Sequence, residues 1–268
     1  MSTRLISGLL GGAIGIYLIW AGGIPLLLAA FVIAMAGVLE IRALLHRKGL
    51  SPDAWVMIPG GALLLAAGYL NAGSYIAHVT ALVTLAGLAA QLLRRGSHEA
   101  LASASGTVFG TLYIGLPVAY ILMLRNLPGG AGYLILALLA VWGSDTGAYF
   151  GGMLLGRTKL WPLVSPNKTL EGSLTGICTA VFAAILVNHL AQAFEWWSAL
   201  PAGHAAGLGV LLSLSGQLGD LCESALKRDA GVKDSGRFLP GHGGALDRFD
   251  SVFFAAPVAY YYIKFLVG

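Results

Sequence analysis

Residues 4–48 read RLISGLLGGAIGIYLIWAGGIPLLLAAFVIAMAGVLEIRALLHRK, and this stretch decides the architecture. Two apolar runs, 5–20 and 24–42, are separated only by Ala21-Gly22-Gly23. A bilayer span needs ~20 mostly apolar residues, and shorter runs are accommodated by thinning or snorkelling. The first run alone, behind Arg4, has the look of a signal peptide, but a second run following at once makes a helical hairpin the better reading. Basic residues stand at its two ends (Arg4; Arg42, Arg47 and Lys48) and are absent from its turn. Because Lys and Arg collect in cytoplasmic loops, both ends of the hairpin, and with them the N-terminus, are expected in the cytoplasm.

The same pattern continues along the chain. Of its 268 residues, 57% are hydrophobic and only 10% charged, where soluble domains carry about 25% charge; the mean hydropathy is +0.79. The spacing predicts an all-α, polytopic integral membrane protein of about nine transmembrane helices, near 5–20, 24–42, 54–70, 75–93, 107–124, 132–152, 173–194, 203–222 and 251–267. With the N-terminus inside, all of the 16 basic residues except Arg125 and Lys264 fall on the cytoplasmic side. Residues 1–100 read as N-terminal membrane helices. Residues 101–268 read as the catalytic membrane region, with cytoplasmic loops 153–172 and 223–250. Glycines recur at small-xxx-small spacing (Gly8/Gly12, Gly11/Gly15, Gly147/Gly151, Gly172/Gly176), which predicts close helix packing. Cys178 and Cys222 lie in or at the end of apolar runs and read as buried thiols.

All 12 acidic residues except Glu40, Asp53 and Glu99 fall between Asp145 and Asp250. Asp145 lies inside the sixth span, in Trp142-Gly143-Ser144-Asp145-Thr146-Gly147. A carboxylate at that depth is costly and marks a functional site by default; a helix-packing ion pair is the alternative. Glu40, near a membrane edge, reads as an interfacial partner of Arg42.

From Gly219 the chain runs GDLCESALKRDAGVKDSGRFLPGHGGALDRFDS. Asp220, Glu223 and Ser224 share a helix face, as do Asp247 and Asp250 if the last helix begins there. Carboxylates of this kind suit Mg²⁺, which takes one or two of them together with substrate phosphates. Lys227, Arg228, Lys233, Arg237 and Arg248 are interleaved with the acids, as phosphoryl or nucleotidyl transfer requires. Gly241, Gly243 and Gly244 let backbone N–H groups approach phosphate. His242 is a general base, a phosphate donor or a loop residue. Docking of anionic lipid would explain the basic residues but not the interleaved Asp220, Asp234, Asp247 and Asp250. In the second loop Thr169 reads as a helix N-cap, and the helix start beside Lys168 as an anion site.

These residues resemble the phosphatidate cytidylyltransferase (CDP-diacylglycerol synthase) family. Ser224, Lys227, Arg228, Lys233, Asp234, Ser235, Phe238, His242, Gly243, Gly244, Asp247, Arg248 and Asp250 occupy the places of its long polar signature. The middle is offset by one, so Leu239 and Pro240 take the apolar and Pro/Gly positions. Leu112–Leu116, Ser144–Tyr149 and Ser165–Gly172 are similar to further family segments, with Asn167 where a Lys is common. The first hundred residues share only a hydrophobic pattern. The resemblance implies an enzyme of phospholipid biosynthesis: CMP transfer from CTP to phosphatidate, giving CDP-diacylglycerol and pyrophosphate. It implies Mg²⁺, with room for a second metal ion, on Asp220, Asp247 and Asp250, and a catalytic role for Lys227. Substrate contacts fall to Ser224, Arg228, Lys233, Asp234, Arg237, His242, Gly243, Gly244 and Arg248, and from the second loop to Asp145, Ser165, Lys168 and Glu171. The expected setting is the cell inner membrane with the site facing the cytoplasm. Membrane lipids surround it, no nucleic acid is involved, and a homodimer is allowed.

Three other readings are weaker. A CDP-alcohol phosphotransferase would carry Asp-Gly-x2-Ala-Arg and a four-residue Asp spacing, where Asp247 and Asp250 are three apart. A CTP-dependent lipid kinase would release CDP rather than pyrophosphate. A transporter would place ionisable residues near mid-membrane on opposing repeats, rather than gathered at one face.

Overall fold

Long apolar runs, broken only by short Gly-, Asn- or Pro-containing turns, fold into helices at each of the nine expected positions. The computed structural model describes residues 2–93, 99–197, 199–236 and 243–267, apart from the side chains of 2–7 and 9. In chain order the described helices are α1 Ser2–Ala21, α2 Gly23–Arg47, α3 Ala54–Tyr69, α4 Ser74–Leu93, α5 Ala100–Arg125, α6 Gly130–Leu155, α7 Leu170–Ala193, α8 Ala202–Asp229 and α9 Leu246–Tyr262, the last followed by a π-helical turn, Ile263–Val267. Arg94, Arg95 and the Arg4 side chain, used above to orient the chain, lie outside the described residues.

Six helices are long and apolar enough to cross a membrane: α2, α4, α5, α6, α7 and α8. This is a membrane protein. The expectation of nine spans goes further than the helix lengths support. At 1.5 Å per residue, α3 and α9 rise only ~24–26 Å, against a hydrocarbon core of ~30 Å.

The all-α expectation also needs one amendment. Between α6 and α7 the chain forms an antiparallel hairpin, β1 Lys159–Trp161 with β2 Ser165–Thr169. Lys159 pairs with Thr169 and Trp161 with Ser165, with an irregularity between them. Pro162 and Pro166, with little alternation of polarity, hide this hairpin from a periodicity reading.

The chain forms two compact units, Met1–Met123 with Leu226–Arg248, and Leu124–Ala225 with Phe249–Gly268. In the first, α3 packs against α2 and α4. Leu64, Val79 and Val83 form a buried cluster backed by Val56, Ile76, Val108, Leu112 and Leu116. At Gly68 the backbones of α3 and α5 meet: a Cβ there would lie 2.6 Å from the Ala119 carbonyl oxygen. Asp53 caps α3 by accepting the Trp55 N–H at 2.9 Å.

In the second unit α6 and α7 cross closely. A Cβ on Gly147 or Gly151 would collide with the Thr179 or Thr175 hydroxyl, and one on Gly172 would lie 2.7 Å from Ala148 O. Thr175 and Thr179 donate across the crossing to Gly147 O at 3.0 Å and Gly143 O at 2.9 Å. The small-residue spacing therefore marks a true packing face in this unit. In α1 it does not: Gly8, Gly11 and Gly15 have nothing within 4 Å of a built Cβ. Cys178, expected buried, is exposed, and Cys222 is intermediate. Cys178 lies on a face of α7 that the protein leaves uncovered, where an apolar thiol can meet lipid.

Candidate active site

Each unit contains a cluster of the chemistry-bearing residues, and α8 contributes to both. In the second unit, hairpin strand β2 delivers Lys168, whose ammonium pairs with Asp220 on α8 at 2.6 Å. The side chains are 27% and 35% exposed, with the Lys168 Nζ itself buried against its partner. One turn on, Ser224 donates to Asp220 Oδ1 at 3.4 Å. Asp145 on α6 is exposed, and the charges of both Asp220 and Lys168 act on it. Ser165 begins β2, opposite Trp161.

Glu171 braces this cluster. Its carboxylate accepts the backbone N–H of Arg157 at 3.0 Å and of Thr158 at 3.1 Å, closing the base of the hairpin that carries Lys168. Thr169 caps α7 as expected, accepting the Gly172 N–H at 3.1 Å.

A polar seam runs through the helices of this unit. Ser144 on α6 and Ser213 on α8 are both buried and share a hydrogen bond of 2.7 Å. Gln217 donates to Ser213 Oγ at 2.9 Å and to Ser173 O at 3.1 Å, and accepts from the Ser173 hydroxyl. The sequence reading missed Ser173, Ser213 and Gln217. A signal existed: Ser213, Gln217, Asp220 and Ser224 fall at i, i+4, i+7 and i+11, one stripe along an otherwise apolar helix.

In the first unit the centre is Asp247, in the first turn of α9. Lys227, near the end of α8, donates to its Oδ1 at 2.5 Å. Its Oδ2 accepts the Ser235 N–H at 3.0 Å, the Ser235 hydroxyl at 3.0 Å and the Gly244 N–H at 2.8 Å. The ion-paired side chains are only 12% and 10% exposed. Burial pushes the Asp247 carboxyl up. The Lys227 hydrogen bond, then the Gly244 and Ser235 N–H groups, outweigh burial and hold the carboxyl below its usual value.

Gly243 has φ 81° and lets the chain turn into α9. The N–H of Gly244, expected to face phosphate, is donated to Asp247 instead. α9 starts at Leu246, so Asp247 and Asp250 share a helix face as anticipated. Asp250 accepts the Ser251 N–H at 2.6 Å. Arg228 donates to Val232 O at 3.1 Å, tying down the turn after α8. Arg228, Lys233, Asp234 and Arg248 are exposed. Arg237 and His242, assigned to substrate, lie outside the described residues.

Glu40 was misread. Arg42, its expected partner, donates through Nε to Pro52 O at 3.3 Å. Glu40 is buried and accepts the N–H groups of Ala245 and Leu246 at 2.8 and 2.9 Å and the Ser235 hydroxyl at 2.8 Å. A separation of 195 residues hides this from any local pattern.

What these clusters offer chemically is ammonium groups held beside carboxylates, the equipment for placing one anion against another. Comparison with known proteins agrees. Residues 2–266 match the model of the cytidylyltransferase family. A phosphatidate cytidylyltransferase of Bacillus subtilis is 36% identical over 273 residues, covering 97% of both chains. One from Staphylococcus epidermidis is 35% identical over 266 residues, 96% of this chain and 97% of the relative. One from Staphylococcus aureus is 30% identical over 260 residues, again 96% and 97%. With its matching residues running from the first helix to the last and its acid–base clusters in place, the chain belongs to the cytidylyltransferase family and is a nucleotidyltransferase.

Proposed function

We propose that the protein transfers the CMP group of CTP to phosphatidate, forming CDP-diacylglycerol and pyrophosphate in phospholipid synthesis, with Mg²⁺ and at the cytoplasmic face of the cell membrane. The observation that carries this reading is the near-complete coverage by relatives named phosphatidate cytidylyltransferase. The two lysine–carboxylate pairs support it from the structure.

Phosphatidate is a phosphate monoester and already an anion near neutral pH, so its attacking oxygen needs no strong base. That oxygen attacks the α-phosphorus of CTP in line. The bond from the α-phosphorus to the bridging oxygen breaks, and pyrophosphate leaves with the electron pair. The obstacle is the approach of two anions, and the chain meets it with positioned cations. Lys168 and Lys227 hold phosphate oxygens, each released in part from its carboxylate as substrate arrives. Arg228, Lys233 and Arg248, all exposed, extend the positive surface toward the triphosphate and the lipid headgroup. Ser224 and Ser165 are proposed hydrogen-bond donors to substrate.

The donor set suits Mg²⁺. Mg²⁺ habitually takes one or two carboxylates and completes its shell with phosphates and water. Asp220, with Asp145 under its influence, would hold the ion, and bound Mg²⁺ would neutralise charge on the transferring and leaving phosphates. Asp247 and Asp250 are the other carboxylates that the resemblance assigns to metal, and Asp247→Asn tests the first of them.

The experiment is purified protein with phosphatidate and CTP labelled on the α- or the γ-phosphate. Label passing from the α-position into lipid, with pyrophosphate released and the reaction stopped by chelation, is the expected result. Label from the γ-position would show a lipid kinase instead, and no labelled lipid at all would sink the reading.

A further inference from the structure

We propose that Glu40 is a positioning residue for Asp247, fixing from α2 the start of α9 and with it the Lys227–Asp247 pair. This rests on the reading of that pair as part of the transferase site.

A carboxylate in an apolar helix is costly unless each oxygen is hydrogen-bonded. Glu40, only 9% exposed, meets that condition entirely with groups that surround Asp247. Its Oε1 accepts the Ala245 N–H at 2.8 Å, and its Oε2 accepts the Leu246 N–H at 2.9 Å. The first N–H groups of a helix have no partner within the helix, and a negative charge is favoured there. Glu40 therefore acts as a cap for α9, supplied from about 200 residues away in sequence. The two residues it grips immediately precede Asp247.

The third contact ties the two carboxylates directly. The Ser235 hydroxyl lies 2.8 Å from Glu40 Oε2 and 3.0 Å from Asp247 Oδ2, one proton facing two acceptors. A displacement of Glu40 must move Ser235, and Ser235 also holds Asp247 through its N–H at 3.0 Å. The surrounding chain is fitted to this carboxylate. A Cβ on Gly236 would lie 2.5 Å from Glu40 Oε1, 2.8 Å from Cδ and 2.9 Å from Cγ, all three contacts being to Glu40. A Cβ on Gly244 would overlap both the Ser235 hydroxyl and the Glu40 carboxylate. Lys227 follows Asp247 because their ion pair is short and nearly covered.

The test combines Glu40→Gln, Glu40→Ala and Gly236→Ala. Gln keeps one acceptor oxygen but sets an amide N–H₂ against a backbone N–H, so it perturbs without emptying the site. A shift of about 1 Å in a reacting group costs ~100-fold, and that is the fall in kcat expected for Glu40→Ala, with Glu40→Gln between it and wild type. The KM for CTP should stay within about threefold, since Glu40 touches no substrate. Gly236→Ala should lower kcat alone, yet add nothing in the Glu40→Ala background, where the colliding carboxylate is gone.

Hydrogen exchange of the 243–250 peptide, measured without substrates, reads the positioning independently of turnover. Faster exchange in Glu40→Gln together with reduced kcat supports the proposal. Unchanged exchange overturns it, whatever the activity does. Faster exchange with wild-type turnover also overturns it, and then removes Asp247 from the reaction as well. If no preparation, wild type included, makes labelled lipid, the proposed function has failed, and that is distinguishable because exchange is still measured.

Discussion

Replacing Asp247 by Asn removes one charge from the centre of the first unit and changes almost no volume. Wild-type Asp247 accepts four hydrogen bonds: one from Lys227 on Oδ1 and three from Ser235 and Gly244 on Oδ2. Asn can keep its oxygen toward Ser235 and Gly244, but its N–H₂ then faces the Lys227 ammonium, donor against donor. That ammonium sits on a side chain only 12% exposed and no longer faces the Asp247 charge. Breaking a buried pair by removing one partner costs roughly 3–5 kcal/mol. Because both ends of this pair retain some access to solvent, the lower figure, ~3 kcal/mol, is expected. For a chain of this size that corresponds to a fall of about 5–10 °C in the unfolding midpoint. Lys227→Met in the Asp247→Asn background removes the ammonium that opposes the Asn N–H₂ and should recover ~1–2 kcal/mol of the loss, a coupling typical of residues in contact. The assay is the thermal midpoint of protein remaining monodisperse in detergent, with pyrophosphate release measured on the same samples. Stability should return in the double variant while turnover does not. A double variant no more stable than Asp247→Asn would refute the reasoning from opposed donors, and a fully active single variant would remove Asp247 from the site.

Lys168→Met should reduce kcat/KM for CTP by at least ~10-fold while changing stability by less than ~1 kcal/mol, because its pair with Asp220 is partly exposed; a drop in stability without loss of activity would contradict this. Gly151→Ala should destabilise the α6–α7 crossing by ~1–3 kcal/mol, and Thr175→Ala should recover only part of the unfolding midpoint, because the Cβ of residue 175 still stands 2.6 Å from the new methyl. The depressed pKa of Asp247 gives a signed pH dependence. Its contribution is present above the unfolded carboxylate value near pH ~4 and is lost as pH falls through the lower folded value. Thermal midpoints of wild type should therefore fall more steeply than those of Asp247→Asn below pH ~4, and parallel curves would refute the assignment.

The legible parts of this protein are those encoded within one helix turn or one loop. Apolar runs interrupted by Gly-Gly or Leu-Asn-Ala-Gly reveal helices wherever they end, so all nine positions could be found. Thr169 three residues ahead of Gly172 could be read as a cap because an N-cap reaches only its own first turn. The Gly147/Gly151 and Gly172/Gly176 spacings marked the α6–α7 crossing, but the same spacing at Gly8, Gly11 and Gly15 marked nothing, since a glycine pattern states only that close approach is permitted. The place of Glu171 in a motif did not reveal that its carboxylate closes the base of a hairpin, one that no alternation betrayed.

The hairpin from Arg4 to Lys48 was sufficient to announce a membrane bundle, because hydrophobic length and the side of the basic residues are local properties that a bilayer reads directly. The long polar signature from Ser224 to Asp250 likewise carried the family in linear form. Which carboxylate faces which donor is a different kind of information. Lys168 meets Asp220 because a hairpin places it there, and Glu40 holds Ala245 and Leu246 because folding brings its carboxylate to the first turn of α9. Hydrogen bonds act over about 3 Å in space and are indifferent to distance along the chain. Only the tertiary structure could decide that Glu40, written beside Arg42, belongs to the first turn of α9.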